Sequence, residues 1–502
     1  MSSHRDVVKP GAGFGTGTSP GFSKARSPLE WIVFGHVAVF VITITWGFGG
    51  AADWLLPYFT WWGGLGVVPT FAALQDRTIR SEAWRHLRWW FAPIVVFNVL
   101  VLVGCLNPNL RTVHFGSENM LVNSGAKPWW PSSARPQLAL EALALFDGIW
   151  LSCFNLILVV RRRRTLRSLL LLVVANCLVL AVFGSVQKLT HAKGLFFDSV
   201  PSPQIAFFSS FVYHNHWGAF TILMMSACLG LTWHYARRSE PRNFMHSPAL
   251  AGLVAMFFLA VSIPLSTSRS CTLLASVLLA AGFIHWFLRL VQKRRRYRES
   301  IVLPLAAATA VVLVALIGVW QFAHESILAR TPQTQAQIRE IISSGSIGSR
   351  SILYHDTWRM ALDKRWFGWG MASYPYVFWL YNTQTAVDRL PVLYADAHSD
   401  WLQALAEYGF VGSTALALSV LGPLISVRRR YLAGILQCYL LGGCALLLLY
   451  AWIEFPFGNL AVDLTWWLCF FCALQYARLS SRDSNQSPEN TAKTASADHS
   501  IA

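Results

Sequence analysis

The sequence predicts an all-α, polytopic integral membrane protein with about twelve transmembrane helices and one long extramembrane loop carrying short helices. Three observations carry that prediction. Of the 502 residues, 54% are hydrophobic and only 13% are charged, with a mean hydropathy of +0.43. The apolar residues gather into repeated runs long enough to cross the hydrocarbon, which takes ~20 residues. The net charge of +17 falls in short clusters between those runs. That is a topology signal, and it argues against a nucleic-acid binder.

Taken in order, residues 1–28 are polar, rich in Gly, Ser and Pro, and lack the pattern of a cleaved signal peptide. They are expected in the cytoplasm. Residues 29–322 should hold nine spans, near 29–49, 54–75, 89–106, 138–160, 167–186, 206–233, 248–266, 271–290 and 301–322. Residues 323–399 form the long loop. Three further spans follow within 400–478, near 400–426, 432–453 and 459–477. The last stretch, 479–502, has a disordered composition and is expected in the cytoplasm.

Basic clusters fall after every second span: Arg77 to Arg88, Arg161 to Arg164, Arg237 and Arg238, Lys293 to Arg296, and Arg428 to Arg430. Five clusters therefore agree on one orientation, with both termini inside. The same orientation puts 107–137, 187–205, the short link "STSRS" and the loop 323–399 outside. In that loop, "TPQTQAQIREIISS" and "SILYHDTWRMALDK" read as helices, and "FGWGMASY" as a glycine-punctuated turn. Loops this long are functional or disordered, and its Trp and Tyr content argues for a packed unit. The nine cysteines lie almost entirely in apolar runs. Cys469 and Cys472 lack a second pair or a nearby His, so they read as packing thiols.

Ionisable residues in a bilayer cost something like 2.5–3.5 kcal/mol on insertion scales. Glu141, Asp147, His285, Glu407, Glu454 and Asp463 lie in or near spans and are read as interhelix bonds or snorkelling positions. The external arginines are more informative, because the inside bias of positive charge depletes them. Arg269 sits in a link too short to leave the boundary, among Ser266, Thr267, Ser268 and Ser270. A guanidinium there suits an oxyanion, since its planar fork binds phosphate bidentately and keeps its charge. Arg350 follows the Gly/Ser-rich run "SSGSIGSR", and Arg359 lies further along the same segment as a substrate-binding candidate.

His398 stands at the mouth of the tenth span. It sits just before a span whose apolar face begins with Leu402 and Leu405, so it tops the buried stripe, and a histidine there can serve as a base near neutral pH. Glu407 is nine positions on and roughly 13 Å deeper, so its partner is expected from another span. Asp396, His398 and Asp400 would share one side only if extended, and in a helix the middle residue points away. Neither that triplet nor His214 with His216 is read as a metal site. His214, Asn215 and His216 open the sixth span from the outside, facing the same compartment.

Together these stretches resemble the O-antigen ligase and polymerase superfamily of bacterial membrane glycosyltransferases, over about 200–415. The likeness rests on Thr267-Ser268-Arg269, on Arg350 followed by Trp358, and on "GWGMASY" from Gly368 to Tyr374. It continues through His398, Ser399, Leu402, Glu407, Gly409 and Gly412, with "FVYHNHWGAF" upstream. Arg365-Trp366 stand where a proline is common, and Ser399 where Asn is frequent. The resemblance implies transfer of a glycan from a polyprenyl diphosphate carrier to the hydroxyl of an acceptor glycan or glycolipid, at the periplasmic face of the inner membrane. It implies His398 as base and Arg269 and Arg350 as the catalytic cations, with Ser268, Asn215, His216 and Arg359 binding substrate. No cofactor or metal is required in that scheme. Ligase, repeat-unit polymerase and protein-glycosylating branches remain open, and a glycan-lipid flippase is the rival from another class. Such a transporter would spread its charges through a central cavity rather than along one side.

Overall fold

A computed structural model describes residues 27–116, 118–237, 247–306, 349–384 and 394–485, with isolated residues between 309 and 321. The described chain is mostly helical. Nine of its helices are long and apolar enough to cross a membrane. They are α1 (Pro28–Trp46), α4 (Arg77–Cys105), α5 (Pro136–Val159), α6 (Arg163–Leu189), α7 (His214–Ala236), α8 (Pro248–Leu265), α9 (Arg269–Tyr297), α11 (Asp400–Ser426) and α13 (Leu460–Asn485). Shorter helices complete the set: α2 (Leu56–Gly64), α3 (Val67–Gln75), α10 (Ser349–Asp363) and α12 (Ile435–Tyr450).

The difference from twelve has local causes. The expected span 54–75 breaks into α2 and α3 at Leu65 and Gly66, after two more glycines. Close approach explains Gly63, whose missing Cβ would lie 3.0 Å from the backbone of Gly148 on α5. The expected span 432–453 is the apolar but shorter α12, 16 residues long. The span at 301–322 and the helix at 331–344 lie largely or wholly outside the described residues. The sixth span starts later than expected, because Phe207, Phe208 and Phe211 are buried in a tight turn ahead of His214. At the other end, α13 continues to Asn485 into the expected tail.

Helix α7 is buried along the whole stretch Trp217 to Leu231, as befits a helix apolar on every side. It packs against α6, α8, α9, α12 and α13, and α13 is buried more fully still. With α5, these two form the centre, and α9 lies on the periphery.

The two ends of the bundle differ in kind. At one end Glu82 pairs with Arg161 (3.3 Å), with Arg478 (2.6 Å) and with Arg482. Trp90 donates to Ser426 beside Arg428 (2.9 Å), and Glu30 accepts from the Arg161 amide. The basic clusters at 77–88, 161–164 and 428–430 thus share an end with the start of α1 and the last turns of α13. The opposite end carries the starts of α7, α9, α11 and α13, a hairpin of β1 (Leu110–Phe115) and β2 (Glu118–Asn123), and the described part of the long loop. There Leu353, Met360, Tyr374, Val377 and Phe378 make a small core with Ala397 and Ala406. About 23 helical residues of α7 separate the ends, roughly 33 Å at 1.5 Å per residue, close to a hydrocarbon thickness of about 30 Å.

Candidate functional site

The site is built at the end away from the basic clusters, around a carboxylate that the sequence reading took for an ordinary interhelix group. Glu454 follows α12 in "WIEFPFG" and is only 4% exposed. Its Oε1 accepts from Arg350 Nη2 at 2.5 Å and from Asn215 Nδ2 at 3.1 Å. Its Oε2 faces His398 Nδ1 at 3.5 Å, a long contact. Arg350, in the first turn of α10, also donates through Nη1 to the Ile453 carbonyl at 2.9 Å. Asn215, in the first turn of α7, accepts from Ser268 Oγ at 2.6 Å through Oδ1 and donates to the Tyr213 hydroxyl at 2.8 Å. One hydrogen-bonded chain therefore joins Ser268, Asn215, Glu454, Arg350 and His398 from widely separated parts of the sequence.

His398 lies just before α11 and not within it, as expected of a residue at the mouth of the tenth span. Its φ of 49° lies in the left-handed region, costly for a residue with a Cβ and found where surroundings over-determine it. Ser399 is the N-cap of α11, its side chain accepting from Leu402 N at 3.4 Å. Tyr354 of α10 donates to the His398 carbonyl at 2.9 Å, and Phe455 meets the imidazole edge-on at 4.8 Å. The ring is thus held on its Nδ1 side, and Nε2 has no hydrogen bond among the described residues. Asp400 is committed elsewhere, its Oδ2 accepting from Phe457 N at 2.9 Å.

Charge and burial act against each other at this hub. Burial raises the Glu454 carboxyl, but the His398 hydrogen bond and the Arg350 charge outweigh it and hold the group below the usual range. For Arg350, burial disfavours the charge, yet Glu454 more than restores it. Asp396 nearby is pushed up by burial. The arrangement can therefore hold a fixed cation, a fixed anion and an imidazole in one partly buried space.

The other candidates fall at different distances from this hub. Arg269 is the first residue of α9, next to Ser268 and exposed at the rim, after Thr267 in a left-handed conformation (φ 67°). His216 packs edge-on against Phe455 at 5.1 Å, with a buried Nε2 that has no partner among the described residues. Arg359 is not brought in: nine positions past Arg350, and so about half a turn round α10, it is exposed on the other face.

Glu407 also departs from expectation, because its partner is not a span. Its carboxylate accepts from the amides of Ala372 (3.2 Å) and Tyr374 (3.0 Å) in the glycine turn. Helix α11 breaks at Gly409 (φ 62°, ψ −171°), and the turn plugs into the break. Trp369 and Gly370 donate to the carbonyls of Ala406 and Glu407, and Phe410 and Val411 to those of Arg365 and Trp366. The glycines of both motifs are thus structural.

Glu454, Tyr213, Tyr354 and Phe455 were missed. The signal for Glu454 was present: a carboxylate in an apolar run, shortly before a proline, at the end of its span. Among the described residues no cluster of three or more His, Cys, Asp and Glu could hold a metal ion. No curated protein matches the chain. Residues 254–417 match the family model described as O-antigen ligase, a stretch that contains Ser268, Arg269, Arg350 and His398 but ends before Glu454. Over that stretch, about a third of the chain, the protein is similar to the O-antigen ligase family.

Proposed function

We propose that this protein is an O-antigen ligase-like glycosyltransferase of the bacterial inner membrane. It transfers a glycan from a polyprenyl diphosphate carrier to an acceptor hydroxyl at the periplasmic face, in surface polysaccharide synthesis. The observation that carries this reading is the convergence of Arg350, His398, Asn215 and Ser268 on Glu454, with Arg269 at the rim, at the end opposite the basic clusters. In the proposed step, the acceptor oxygen forms a bond to the anomeric carbon and gives its proton to His398 Nε2. The bond from that carbon to the diphosphate oxygen breaks, and the lipid diphosphate leaves with the electron pair. A single displacement inverts the anomeric centre. Diphosphate is a good leaving group that needs its growing charge met, and Arg350 and Arg269 are suited to meet it without a divalent ion. Asn215 and Ser268 fix the floor of the site, and His216 is assigned to substrate contact beside them.

Replacing Arg269 or Arg350 with Ala is expected to cripple transfer while leaving the protein folded. The check is the pool of carrier-linked glycans in the native host. Long chains accumulating on the carrier mean a ligase, and single repeat units mean a polymerase. Normal pools and intact surface polysaccharide would overturn the reading.

A further inference from the structure

Resting on the function proposed above, we infer that Glu454 is a positioning residue that couples occupation of Arg350 by the donor diphosphate to the strength of His398 as a base. Among the described residues, Glu454 alone contacts both side chains, and it does so through different oxygens. Oε1 is held at 2.5 Å by Arg350 and at 3.1 Å by Asn215. Oε2 is left with the long 3.5 Å contact to His398. Before donor arrives, the carboxylate is drawn chiefly toward the guanidinium.

A diphosphate competes for that guanidinium with more negative charge and with paired oxygens that match its fork. The other partners of Arg350 are neutral, the Ile453 carbonyl and the Tyr354 hydroxyl, and are easier to give up. Once Arg350 turns to the diphosphate, Glu454 keeps Asn215 on Oε1, and its charge falls to His398. Burial makes that redistribution large, since little water reaches Glu454 to compensate. Held through Nδ1–H, the imidazole presents the Nε2 lone pair outward and becomes more basic. The base is thereby strengthened when the leaving group is in place.

Other groups face His398 and must be counted. Asp396 lies on its own segment and acts on it electrostatically. His216 does so from the start of α7, while Tyr213 stacks on Phe455 behind it. Tyr354 comes from α10, and Asp400 follows in α11 with its carboxylate engaged by Phe457. Tyr354 also hydrogen-bonds Arg350, but it is neutral and meets His398 only at its backbone carbonyl, so it cannot pass charge between the two side chains as Glu454 can.

The test uses the full chain in lipid nanodiscs, with inorganic diphosphate as the probe. Calorimetry should show Glu454→Gln binding diphosphate about tenfold more tightly than wild type, because the internal competitor is neutralised. A role limited to holding Arg350 in place predicts weaker binding, and that result would overturn the coupling. The second readout is the pH midpoint of His398 carbethoxylation, followed by mass spectrometry of its peptide. Saturating diphosphate should raise this midpoint in wild type and raise it less in Glu454→Gln, where only the field of the anion remains. An Arg350-dependent binding with no change at His398, in the wild type alone, overturns the coupling and leaves the functional reading standing. Binding that is the same in Arg350→Ala as in wild type overturns both.

Discussion

A carboxylate shut away from water between an arginine and a histidine makes a pH-dependent contribution whose sign is fixed. Because its partners hold the Glu454 carboxyl below the ordinary glutamate value of about 4.3, its ionised form binds the folded state better than the unfolded one. That stability is fully present above the ordinary value and is lost as pH falls through the lower folded one. Thermal unfolding of wild type and Glu454→Gln should therefore differ most near neutral pH and converge in acid. A gap constant down to pH 3 would mean the ion pairs contribute nothing. His398→Ala should lower transfer by about 10²–10⁴-fold, the range for a lost general base, and full activity would remove His398 from the mechanism. Arg269, Arg350 and His398 stood out as candidates in the sequence because a charge or imidazole at the boundary of a span needs a reason. Glu454 could not be weighed that way, since its role exists only where residues 215, 350, 398 and 454 meet.

The elements show where pattern reading succeeds and where it stops. Apolar length found the long helices, and the helix-like run at 351–364 is α10. The start of α11 at Asp400 agrees with the expected boundary, while the cap at Ser399 and the left-handed His398 leave no mark on the apolar pattern. The glycine turn and the "EYGFVG" stretch were visible as motifs, yet their meaning is mutual: each supplies the backbone partners of the other. A Cβ at Gly368 would overlap the Glu407 backbone, and one at Gly409 the backbone between Trp366 and Phe367, with both glycines at positive φ. Gly368→Ala or Gly409→Ala should cost roughly 2–5 kcal/mol, combining strain with lost hydrogen bonds. Gly35→Ala on α1, where a Cβ meets nothing within 4 Å, should be neutral or slightly stabilising. Denaturation midpoints in one detergent check the contrast, and equal effects at all three positions would refute the interlocking of turn and break.

At the scale of the whole molecule, the separation of the two ends is what turns a list of residues into an orientation. The bundle ties the clusters at 77–88 and 161–164 to the last turns of α13 through Glu82, and it carries the hub on Glu454 at the far ends of the same helices. In the orientation proposed above, which follows the inside preference of positive charge, the hub lies outside. The hairpin and the loop after it belong to the hub end, since Ala134 donates to Trp369 and Lys364 to Asn109. Two substitutions test this orientation directly. Trp129, 84% exposed after the hairpin, and Arg429, exposed beyond α11 at the basic end, can each be replaced by Cys. The native thiols give little background, being buried apart from Cys105 and Cys438. In intact cells a membrane-impermeant maleimide should label Trp129→Cys at once and Arg429→Cys only after permeabilisation. The reverse pattern would place the hub on the nucleotide-rich side of the membrane, where a lipid-linked donor has no need to be the glycan source, and the proposed reaction would lose its physical basis.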